Sequence, residues 1–110
     1  MNNVMDIAGE KAVVTFDPEL QMLRGEFVGL NGGADFYAES IPELMVEGRK
    51  SLSVFLKMCA EKGIEPKKQF SGKFNLRLAP SDHAAAAIAA AAAGKSLNEW
   101  IATTIREAAG

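Results

Sequence analysis

Cysteine and histidine occur once each in these 110 residues, and so do tryptophan and tyrosine. A lone Cys59 cannot close an intrachain disulfide, and no Cys/His cluster offers zinc ligands. The single histidine, His83, has no thiol or carboxylate constellation suited to nucleophilic catalysis, and is expected at the surface near a helix start. No apolar run approaches the roughly 20 residues that span a bilayer. The opening MNNVMDIAGEKAVV lacks a basic region leading into an apolar stretch, so no secretion signal is expected. Asp17, Glu26 and Asp35 could suggest an acidic metal cluster. Two-metal chemistry, however, needs carboxylates converging on ions about 4 Å apart. Two of these three sit near turns and one inside a strand, so solvated surface carboxylates are expected. The expectation is a cytoplasmic protein with no membrane contact, catalytic site, metal or cofactor.

A hydrophobic fraction of 48% supports a core, but a chain this short is one compact domain or two very small ones. Halves that small are marginal alone, and dimerisation is a natural remedy. The net charge of −2 hides an asymmetry. Residues 1–64 carry six Lys/Arg against ten Asp/Glu, whereas residues 65–110 carry six against four. An acidic front and a basic back suggest surfaces for different partners.

Along the chain, KAVVTFD (11–17) reads as a strand, Asp17-Pro18-Glu19 as a turn, and MLRGEFVG (22–29) as a second, antiparallel strand. Asn31-Gly32-Gly33 tolerates positive φ and predicts a turn before a third strand at 34–40. On that strand, one of Phe36 and Tyr37 packs inward while the other faces out. Ser40, Pro42 and Glu43 form a helix-start signature, and Gly63 is a natural left-handed stop. Leu44, Leu52, Phe55, Leu56 and Cys59 make the helix's apolar stripe, in which Cys59 is a small core residue and Gly48 a weak point. Residues 1–63 therefore read as β-β-β-α, and 64–71 as a polar linker.

The pattern changes at 72–110. KFNLRL alternates strictly, with Phe74, Leu76 and Leu78 on one face and Lys73, Asn75 and Arg77 on the other. Pro80-Ser81-Asp82 starts an alanine-rich helix ended by Gly94, with Ile88 as its larger anchor. Ser96 and Glu99 cap a third helix, whose Leu97, Ile101, Ile105 and Ala108 recur about one turn apart. Trp100, Ile101 and Ile105 are expected in a dimer core.

One strand followed by two helices leaves both strand edges unpaired. Pairing the strand with that of a second copy about a two-fold axis repairs this. The resulting ribbon covers the helices with one face and shows Lys73, Asn75 and Arg77 twice on the other. Such a ribbon fits the DNA major groove, where Arg reads guanine and Asn reads adenine. Lys95, Ser96 and Asn98, at the start of the third helix, are candidates for holding a phosphate.

KFNLRLAP followed by GKSLNEWIATTI resembles the ribbon-helix-helix repressors of the Arc type. The resemblance implies base reading by Lys73, Asn75 and Arg77, with Ser96 and Asn98 in the phosphate clamp. VTFDPE, LRGEFVGLNG, FYAESIPEL, FLKMCAEKGIEP and FSGKFNLRLAP together resemble the HicB family of antitoxins. That implies a partial RNase H-like front domain binding a small mRNA-cleaving HicA-type toxin, and a DNA-binding domain repressing its own operon. DPELQML departs from the acidic-Gly run after the first strand in many members, which bears on the toxin contact. The fold class expected is α+β, a small sheet with one helix followed by a ribbon-helix-helix domain forming dimers or tetramers. A stand-alone regulator with a ligand-sensing or assembly front domain is the alternative.

Overall fold

A computed structural model describes residues 3–110. The chain divides into two compact units, the first ending at Phe70 and the second comprising Ser71–Gly110. The first unit holds four strands, β1 (Val4–Ile7), β2 (Glu10–Asp17), β3 (Met22–Phe27) and β4 (Asp35–Ala38), then helix α1 (Ile41–Lys62). The second holds α2 (Pro80–Ala92) and α3 (Leu97–Ala109). The architecture is α+β, with the strands forming one antiparallel meander in chain order.

Strand β1 is an addition to the three expected. Its hairpin turns through Ala8 and Gly9, at φ 51° and 88°, between the paired Ile7 and Glu10. Two consecutive positive-φ residues are the geometry of a two-residue hairpin turn, usually announced by Asn-Gly or Asp-Gly. Ala-Gly gives a weaker signal. Asp6 supplies the missing side-chain support, since its carboxylate accepts from the Gly9 N–H at 2.9 Å and from Lys11 Nζ at 2.7 Å. Those bonds, the Lys11 one foremost, hold the Asp6 carboxyl below its usual range. The β2–β3 turn is as expected: Asp17 Oδ1 accepts from the N–H groups of Glu19 and Leu20.

Helix α1 starts where Ser40 Oγ accepts from the Glu43 N–H, and ends at Gly63 with φ 66°. It packs on one face of the sheet through Leu44, Gly48, Leu52, Phe55 and Cys59, over Ile7, Ala12, Phe27 and Phe36. Burying each large side chain here is worth roughly 1.5–3 kcal/mol. Phe36 is buried and Tyr37 exposed, which is the alternation expected of β4. Leu56 does not belong to the stripe. It is 43% exposed, because one step on from Phe55 turns it off the buried face. Gly48, weak in helix propensity, has a packing role. A Cβ there would collide with Ile7 Cδ1 and meet the Phe36 ring, and one on Gly25 would strike the same ring. The two glycines form the slot that holds Phe36. Gly32 and Gly33 do not take positive φ; the space beside Gly32 is taken by the Phe55 ring, 2.8 Å from where a Cβ would stand.

The segment after α1 folds back on the rest of the first unit by hydrogen bonds. Lys68 N–H donates to the Gly29 carbonyl and Asn31 N–H to that of Pro66, while Asn31 Nδ2 reaches the Glu65 and Lys67 carbonyls. Lys67 Nζ also lies 3.1 Å from Glu10 Oε1. On the sheet face away from α1, Arg24 bridges Asp35 and Glu26, so two of the three carboxylates weighed as a metal cluster share a guanidinium. Asp35 pushes the Arg24 pKa up further. Among the described residues, no helix is long and apolar enough to cross a membrane.

Candidate nucleic-acid interface

In the second unit, α2 begins at Pro80 after an extended Ala79, with no side-chain cap. It ends as expected: Gly94 takes φ 68°, Gly94 N–H donates to Ala91 O, and Lys95 N–H donates to Ala90 O. Ala86 and Ala90 are the buried positions of α2. Ile88 is 70% exposed, so it is not the anchor expected. Alanine lets α3 approach closely, and the larger side chain sits on the other side of the helix.

Residues 73–78 lie outside any strand, a departure from the sequence expectation. The reason is physical: a strand exists through ladder bonds, and none joins this segment to the sheet. The alternation of its side chains is nevertheless preserved. Phe74, Leu76 and Leu78 line a groove of about 630 Å³ together with Trp100, Ile101 and Ile105 of α3. Lys73, Asn75 and Arg77 are exposed and take no part in its wall.

The groove is open to solvent. Phe74 is 70% exposed and Leu76 53%, and none of the α3 residues is buried. Leu97, Trp100 and Ile101 are only half-buried, so this 13-residue amphipathic helix has only part of the packing that normally stabilises one.

The start of α3 is well formed. Ser96 Oγ accepts from the Glu99 N–H at 3.1 Å and donates to Glu99 Oε1 at 3.0 Å. Lys95 Nζ turns along the helix to Thr103 Oγ1, 3.3 Å away. The Ser96 hydroxyl is thus committed to its cap. The N–H groups of Leu97 and Asn98, in the first turn, have no acceptor within the helix, and the dipole there favours an anion. Asn98 is exposed beside them. His83 is exposed on the first turn of α2, and Cys59 is buried in the first unit. Among the described residues, no group of three or more His, Cys, Asp or Glu could hold a metal ion.

The model of the HicB family matches residues 55–105, from the last two turns of α1 through most of α3. No curated protein and no solved structure matches the chain.

Proposed function

We propose that the chain is a HicB-family antitoxin that also represses its own operon. In this reading the second unit is a ribbon-helix-helix domain. Residues 73–78 pair with those of a second copy, Phe74, Leu76 and Leu78 close over the apolar faces of both α3 helices, and Lys73, Asn75 and Arg77 enter the major groove. The observation that carries it is the open groove, whose wall takes every second residue of 73–78 and leaves the three polar ones outside. Lys95 and the backbone N–H groups at Leu97 and Asn98 then hold a flanking phosphate, with Ser96 fixing the turn. The family match over residues 55–105 supports the same reading.

The first unit, a partial RNase H-like domain in this proposal, binds a small HicA-type toxin that cleaves mRNA. Its excess of carboxylates suits a basic partner. The protein itself needs no catalytic site, metal or cofactor for either task. Titration of the full chain with the DNA upstream of its own gene, at several salt concentrations, tests the repressor half. Saturable binding as a dimer or tetramer, tighter than to unrelated DNA by about 10³-fold or more, is expected. Equal affinity for both DNAs would contradict it.

A further inference from the structure

Strand β4 is a free edge of the sheet: among the described residues it pairs with β3 and with no other strand. Beside that edge, α1 carries a second row of side chains at four-residue steps, Val46, Lys50, Val54 and Met58. The fold does not use this row. Val54 is 70% exposed, Val46 45% and Met58 38%, whereas the core is built from the neighbouring row of Leu44, Leu52, Phe55 and Cys59. Two clefts of about 460 and 390 Å³ lie between the row and β4, and both are lined by Glu47. From residue 43 to 58, a helix spans roughly 22 Å, the length covered by about six or seven extended residues.

The groove is acidic. Among the described residues, Glu39, Glu43 and Glu47 line it against a single cation, Lys50, which pairs with Glu47 at 3.4 Å; Asp35 also borders it, but its carboxylate is held by Arg24. The opposite edge, β1, borders a cleft lined by Asn3, Val4, Met5, Val14, Ile41 and Met45, none of them charged. An apolar floor, a carboxylate rim and an edge strand with unpaired backbone groups together select an extended cationic segment. A second copy of β4 would bring two acidic rims face to face, which costs energy at an interface.

We infer that this groove takes an extended basic segment of the partner protein, which adds to β4 as a fifth strand. Its apolar side chains lie on Val46, Val54 and Met58, and its Lys or Arg side chains reach Glu39, Glu43 and Glu47. The inference rests on the toxin-binding reading of the first unit, and the segment belongs to that toxin.

The test is calorimetric titration of the full chain with the purified toxin from the adjacent reading frame, for wild type, Glu39→Lys/Glu47→Lys and the control Glu19→Lys/Glu65→Lys. The groove variant should lose at least tenfold in affinity and the control less than threefold. Hydrogen exchange should show new protection of β4 amides in the complex. Unchanged affinity in the groove variant, equal losses in both variants, or protection confined to β1 would overturn the groove while leaving toxin binding intact. Loss of self-association in the groove variant, with toxin affinity kept, would assign the edge to a second copy and overturn it too. A wild-type chain that binds no toxin removes the toxin-binding reading itself, and the groove assignment with it. Should the double variant fail to fold, Val54→Lys decides by the same thresholds, since that side chain is mostly in solvent.

Discussion

Gly48 and Arg77 stand at opposite ends of what a single residue can do here. Gly48 lies where α1 crosses the sheet, and the ring of Phe36 occupies the slot between it and Gly25. Alanine at an open helix position would gain about 1 kcal/mol in propensity. Here its methyl would press on Ile7 and Phe36, and overpacking of that kind costs about 1–3 kcal/mol. Gly48→Ala should therefore be destabilised by up to about 2 kcal/mol, the difference between those terms. A lower midpoint in urea denaturation checks this, and a higher one would mean the slot relaxes freely. Arg77 touches no groove wall. Arg77→Ala should weaken binding to the chain's own upstream DNA by about 1–3 kcal/mol and relax discrimination at one base pair. Sedimentation of the variant should still give the wild-type oligomer. Affinity unchanged across salt concentrations would contradict base reading by this side chain.

The segment 73–78 and the helix α3 are incomplete elements within one chain. Leu76 is 53% exposed, and α3 buries none of its residues. If a second copy completes them, Leu76→Asp places a charge in the shared core and should abolish the dimer, because a buried unpaired carboxylate is costly. Sedimentation equilibrium reads this directly, and a well-folded dimer that tolerates the substitution would reverse the assignment of the two faces. The helices were legible in the sequence because their caps are local. Ser40 with Glu43, Ser96 with Glu99, and the left-handed Gly63 and Gly94 each announce an end within four residues. Strands were less so. β1 was hidden by an Ala-Gly turn whose support comes from Asp6, outside the turn itself. Residues 73–78 carry a strand pattern without strand pairing, since pairing depends on a partner that periodicity cannot supply. For the same reason, the alternation at 73–78 marked out the side chains of the candidate interface. The groove beside β4 was not legible: it arises from four-residue steps on α1 meeting an edge strand, and which strand is an edge is set by the sheet order, not by local periodicity.

At the scale of the molecule, the two units divide two tasks in the proposed reading. The first unit carries eight Lys/Arg against eleven Asp/Glu, and the second four against three. An acidic surface steers a basic protein, and a basic one steers toward phosphates. Neither unit offers, among the described residues, a cluster of metal-ligating side chains. The family match, covering residues 55–105, begins in α1 and ends in α3, so it crosses the boundary between the units. Binding of a toxin by one unit and of DNA by the other would let the amount of free toxin report on transcription of both genes. The proposed antitoxin role is tested most directly by expressing the short reading frame beside this gene, alone and together with this chain, and scoring growth and co-purification. Growth arrest by the neighbour alone, relieved when this protein is present and bound to it, is the predicted result. A harmless neighbour, or one that arrests growth and is neither bound nor relieved, would contradict the antitoxin role.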